Sequence, residues 1–169
     1  MRKVVLLLSL AIFVACSRKV TVVENSVAGY YNYESTIVEV GVQGTSVIKA
    51  WGTGKTVEKA KEDAKRNAVY SVLFKGFPST ANVNSTDLRP MITEANAEQK
   101  YNDYFTKFFA DGGKYLQYVQ FTDKKGELGL GDAVKKDGMF KIGVVVVVDK
   151  SGLRKEMESA GIVRKFGIN

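Results

Sequence analysis

Apolar residues recur along this chain in two rhythms. Between Thr36 and Trp51 the β-branched residues Ile37, Val38, Val40, Val42, Val47 and Ile48 gather in short runs separated by Gly44-Thr45. Branched side chains pack well on a pleated surface, so Thr36 to Val42 and Ser46 to Trp51 read as strands. Their short connection favours an antiparallel hairpin. From Val57 to Phe74 the spacing changes. Ala60, Ala64, Ala68 and Val72 repeat every four residues, and Val57, Tyr70, Leu73 and Phe74 widen the stripe. That is the period of a helix with one apolar face. Its alanines would let it approach a sheet closely. Gly52 and Gly54 are expected to turn the chain out of the strand, and Thr56 to cap the helix. Gly76 is expected to end it in the left-handed conformation, with Pro78 preventing a restart.

The second half continues the alternation. Pro78 to Thr93 is polar and irregular, and a loop of this length is the first place to look for a binding surface. Glu94 to Asp111 reads as a second helix whose Tyr101, Tyr104, Phe105, Phe108 and Phe109 form a bulky core-facing stripe. After Gly112-Gly113, Lys114 to Thr122 reads as a strand and Asp123 to Gly138 as a charged, glycine-rich loop. Met139 to Val148 is the strongest strand. Val144 to Val148 shows no polar alternation, which predicts cover on both faces, by helices on one side and by a partner or the tether on the other. Ser151 is placed to cap a short helix through Ser159, with Leu153 and Met157 inward and Gly161 at its end. Ile162, Val163 and Phe166 read as tied to the domain. The order ββααββα predicts an α+β fold, a mostly antiparallel sheet of about four strands with helices packed on one face.

Composition narrows the chemistry. The chain has 169 residues with a net charge of +7, no histidine and one cysteine, Cys16. Without histidine or a second thiol, Ser-His and Cys-His nucleophile pairs and the common zinc sites are missing. No enzyme activity, metal or cofactor is expected. The positive charge is spread thinly and forms no dense stripe of the kind that grips nucleic acid.

Cys16 itself points to a location. Met1-Arg2-Lys3 is followed by an apolar run from Val4 to Ala15. That run is too short to span a bilayer, which takes about 20 residues, and it has the length of a signal-peptide apolar region. Phe13-Val14-Ala15-Cys16 resembles the lipobox of bacterial lipoproteins, with Phe13 where leucine is usual. The resemblance implies cleavage before Cys16, acylation of Cys16 and loss of Arg2 and Lys3. Ser17 after the cysteine, with no acidic run, implies the outer membrane and a periplasm-facing domain. Residues 1–15 then form the signal peptide, 16–35 a tether and 36–169 a single domain. Arg18 and Lys19 are placed to meet anionic headgroups. Tyr30, Tyr31 and Tyr33 form an aromatic patch at the domain entrance.

Two local motifs carry less than they suggest. Gly54-Lys55-Thr56 ends like a phosphate-binding loop, but the glycine required five residues before Gly54 is Lys49. Glu58 and Glu62 lie one helical turn apart among lysines, which describes a solvated, ion-paired face. The run Ile48-Lys49-Ala50-Trp51-Gly52-Thr53-Gly54, followed by Glu58, Ala60, Lys61, Ala64 and Ala68, is similar to small bacterial envelope lipoproteins of the twenty-kilodalton antigen family. It is also similar to the amino-terminal domain of flagellar assembly protein T. The similarity spans about residues 47–77. It implies a compact sheet covered by helices in an envelope component without catalytic residues.

These features together suggest a non-catalytic, lipid-anchored envelope protein that binds an envelope partner or itself as part of an assembly. The alternative is a periplasmic binding module whose Trp51, Tyr101, Tyr104, Tyr115 and Tyr118 stack on a small ligand or cell-wall fragment. Cys16→Ala is expected to shift the protein from the membrane pellet to the soluble fraction on cell fractionation. Retention in the pellet would contradict the anchor.

Overall fold

A strand and a helix in this protein touch backbone to backbone, and the rest of the architecture is arranged around that contact. The computed structural model describes residues 35–40, 44–78, 88–122, 126, 128–129 and 131–165. Cys16, Arg18, Lys19, Tyr30, Tyr31, Tyr33, residues 79–87 and Phe166 lie outside the described residues. The elements are β1 (Thr36–Val40), β2 (Thr45–Gly54), α1 (Val57–Tyr70), α2 (Ala97–Lys100), α3 (Asn102–Phe108), β3 (Val119–Phe121), β4 (Ala133–Lys136), β5 (Met139–Asp149) and α4 (Lys150–Ser159). All pairings are antiparallel, in the order β1-β2-β5-β3. β3 and β4 lie end to end along one edge of β5, opposite Val146–Val148 and Met139–Ile142 respectively. The fold is α+β, with one core between the sheet and its helices. Buried core residues run from Ile37 to Ile162, so a chain beginning at Ser17 keeps all of them.

The glycines before α1 do not leave the strand. β2 runs through Gly54, with Gly52 and Gly54 buried on the helix side. A side chain on Gly52 would fall on the backbone of Ala60 and Ala64, and one on Gly54 would come within 2.6 Å of the Ala60 nitrogen. Ala60, Ala64 and Ala68 are fully buried. Small residues on both partners thus bring helix and strand to backbone contact. Polar groups secure the seam: the Thr53 N–H donates to Asp63 at 2.9 Å, and the Asn67 amide donates to the Trp51 carbonyl at 2.9 Å. Thr56 caps α1 as expected, its hydroxyl accepting from the Lys59 N–H at 3.2 Å.

The end of α1 is less regular than its periodicity predicts. Ser71–Lys75 forms a π turn, closed by the Gly76 N–H donating to the Ser71 carbonyl at 2.8 Å. Gly76 has the positive φ of 70° that was expected, but its ψ of −165° is extended rather than left-handed helical. That combination is open only to glycine. The carbonyls of Val72 and Leu73 accept from the N–H groups of Met91 and Ile92, each at 2.9 Å. Helix-end acceptors that need partners are satisfied by a distant segment, which is pinned in return.

Four further elements depart from the sequence reading. The second helix breaks into α2 and α3 at Tyr101, whose φ of −111° and ψ of 30° interrupt it. Lys114 to Tyr118 is a 3-10 helix rather than a strand. Three residues per turn puts Tyr115 and Tyr118 on one side, the former wholly buried. The glycine-rich loop contains β4, joined to β5 by Asp137-Gly138 with φ of 51° and 76°. Two positive φ values make the tight hairpin turn that matches strand twist. α4 is capped by Asp149 and not by Ser151, the Asp149 carboxylate accepting from the Gly152 N–H at 2.8 Å. Its other end is a Schellman turn. The Ile162 N–H donates to the Met157 carbonyl at 2.9 Å and the Gly161 N–H to the Glu158 carbonyl at 3.2 Å, with Gly161 at φ 71°.

Gly52→Ala is expected to pry α1 from β2 and cost about 3 kcal/mol, the upper part of the usual overpacking range. The change would appear as a lower urea midpoint at unchanged slope. A midpoint equal to that of the native chain would contradict the backbone contact.

Candidate interaction surface

Strand alternation sorts the sheet into two unlike faces. Ser46, Ile48, Ala50, Gly52 and Gly54 of β2 point at the helices, as do Ile142, Val144, Val146 and Val148 of β5. The opposite face carries Val47, Lys49 and Trp51 of β2 and Lys141, Gly143, Val145 and Val147 of β5. Of the cover expected on the two sides of the valine run, the described residues supply the helix side. Val144, Val146 and Val148 are sealed, whereas Val145 and Val147 remain partly exposed. Only the helix face has a packed layer against it among the described residues. The second face is itself apolar at Val145 and Val147.

Trp51 dominates this open face. It stands opposite Gly143 in the β2–β5 register, and a side chain on Gly143 would come within 2.9 Å of the indole. The ring lies over the bare backbone there. The Lys49 ammonium is 5.7 Å from the ring centroid and that of Lys141 is 5.3 Å. Cations at such distances are drawn to the negative face of an indole. Lys49 is also held by Asp132 at 2.6 Å, and the Asp132 carbonyl accepts from the Gly143 N–H at 2.8 Å. The segment leading into β4 thus buttresses the tryptophan.

The face ends at β1, where the chain is most exposed to contact. β1 pairs with β2 on one side, and no other described strand pairs with it. Its register slips between Ile37 and Glu39, leaving Val38 as the extra residue of a bulge. Val38 is 56% exposed and Val40 is 40% exposed. Among the described residues they are the large hydrophobic side chains left most open to solvent, and both sit on this edge.

The five aromatic residues expected to form a stacking site are not brought together. Tyr115 is wholly buried against Phe109, at 5.8 Å between centroids. Tyr104 and Tyr118 donate to the two oxygens of Glu156 at 2.8 and 3.2 Å, and the Lys114 ammonium reaches the same carboxylate at 2.7 Å. Phe108 stacks between these two tyrosines at 5.7 and 6.2 Å. Tyr101 borders a separate cleft, and Trp51 alone belongs to the open face. The Glu156 cluster was not anticipated, because its members come from α3, the 3-10 turn and α4 and share no sequence spacing. Lys114 and, to a smaller extent, the tyrosine hydroxyls hold the Glu156 carboxyl below its ordinary range. Burial and then Glu156 push the Tyr118 phenol up to about 12 and raise that of Tyr104 as well. Both phenols therefore stay protonated and act as donors. Every group in the cluster is paired, which makes it a clamp joining three elements.

Among the described residues no group of acids could gather a metal ion, and no helix is long and apolar enough to cross a membrane. The chain matches no protein-family model, no curated protein and no solved structure.

Glu156→Gln keeps the shape of the clamp but loses its charge, and is expected to cost about 2 kcal/mol at neutral pH, the usual worth of a hydrogen bond to a charged group. The folded carboxyl has a lowered pKa, so its contribution is present above the ordinary carboxylate range and is lost on acidification. The difference from the native chain should shrink between about pH 5 and pH 3 in unfolding titrations. A difference constant across that interval would contradict the assignment.

Proposed function

We propose that this chain is a non-catalytic, lipid-anchored protein of the bacterial outer membrane, facing the periplasm, that works as an assembly component through protein–protein contacts. One observation carries the reading: the most exposed large apolar side chains described, Val38 at the bulge and Val40 opposite Ser46, lie on the edge strand β1, which borders the sheet face bearing Val47, Trp51, Val145 and Val147. An open edge offers main-chain donors and acceptors to an incoming strand, and adjoining apolar side chains add area and selectivity. The occupant is a strand or apolar surface of an envelope protein, or a second copy of this chain. Lipidation at Cys16 would confine the domain near the bilayer and raise its effective concentration toward such partners.

The binding-module alternative keeps one supporting observation. Trp51 between Lys49 and Lys141 is a stacking plane flanked by cations, a combination suited to a cell-wall fragment carrying sugars and carboxylates. Trp51 is the only tryptophan of the chain, so its emission reports such binding directly.

A photo-crosslinking residue at Val38 of the full chain in intact cells is expected to give a discrete adduct. The same residue at Lys155, exposed on α4, should give none. Absence of an adduct at Val38, or an identical adduct pattern from both positions, would contradict contact through the β1 edge.

A further inference from the structure

A second site stands apart from the open face. A cleft of about 870 Å³ opens between residues 91–101 and the segment that follows α4. That volume lies within the range of small-molecule sites. Its walls are fixed by backbone bonds already described. Met91 and Ile92 are tied to Val72 and Leu73, and the Schellman turn folds Ile162 back onto Met157. Ile92 and Ile162 are buried and, with half-buried Tyr101, supply an apolar floor.

The charges around this floor do not balance. Lys100, Arg154, Arg164 and Lys165 line the cleft, against Glu94 and Glu158. Glu94 is engaged by Lys100, and Glu158 by Arg154 at 2.9 Å. Arg164 and Lys165 have no acidic partner among the described residues. Being consecutive, they concentrate the surplus positive charge in one short stretch of the cleft wall. An acidic peptide would be met best by cations spread along the cleft. A single acid group on an apolar chain fits this concentrated charge better.

We propose that the cleft binds a single-chain anionic amphiphile, a fatty acid or a lysophospholipid with an acid headgroup. The acyl chain lies on Ile92, Tyr101 and Ile162, and the head is held by Arg164 and Lys165. This site is independent of the contact proposed for β1.

The test uses the chain from Ser17 to Asn169, which retains the whole described core, and the fluorescent fatty acid cis-parinaric acid. Its emission should rise on mixing. Palmitate and lysophosphatidic acid should displace it at lower concentration than hexadecanol, which has the chain without the charge. Arg164→Glu with Lys165→Glu should weaken binding about tenfold, the effect of reversing two exposed charges at roughly 0.5–1 kcal/mol each. Both positions are exposed, so the unfolding midpoint should not change. No rise in emission, equal displacement by hexadecanol, or unchanged affinity in the double variant would each overturn the proposal. Displacement by poly-glutamate but not by lysophosphatidic acid would also overturn it, by assigning the cleft to an acidic protein segment.

Discussion

The backbone contact between α1 and β2 sets the geometry of everything around it. Gly52 and Gly54 offer no side chains, Ala60 and Ala64 offer only methyl groups, and the helix settles where any larger residue would hold it away. Alternation along a strand then leaves Trp51, between Ala50 and Gly52, no place but the opposite face. There a third glycine, Gly143, makes the matching recess. One sheet thus carries glycine recesses on both sides, one filled by a helix and the other by an indole. Density on the first side and partial exposure on the second follow from the same pattern of small residues.

Much of this was legible in the chain. The alanine period located α1 and its sheet-facing side, Thr56 marked its start, and the valine run marked the central strand. What escaped had specific physical causes. Gly52 and Gly54 look like a turn to any propensity argument, and only the partner helix reveals them as a docking surface. Tyr115, Leu116 and Tyr118 have strand-like composition, but burial of Tyr115 selects a tighter turn. Asp137-Gly138 was a readable hairpin signal concealed by its charged, glycine-rich surroundings. Asp149 displaced Ser151 as a cap because an ionised carboxylate at a helix start accepts a stronger hydrogen bond and also suits the helix dipole.

The candidate surface was less legible than the fold. Trp51 was singled out, yet its pairing with Gly143 and its two lysines depends on strand register. Val38 becomes prominent only because a bulge displaces it from the pleat. The remaining tyrosines were recruited to the core and to the Glu156 clamp, which binds α3, the 3-10 turn and α4 together on the helix side. Polar cross-links and aromatic stacking thus stiffen the covered side. The uncovered side keeps its apolar and cationic side chains available. This division of labour would suit the proposed docking role, with a rigid back and a presented front.

Hydrogen–deuterium exchange at the β1 amides, Thr36 to Val40, tests that division most directly. The full chain would be compared in native envelope membranes and after purification. The account predicts slower exchange in the envelope at those amides whose N–H groups point away from β2, with the amides of α1 unchanged between the two states. Equal exchange of the β1 amides in both preparations would contradict it, because an edge that gains no protection in the envelope is not the proposed docking edge.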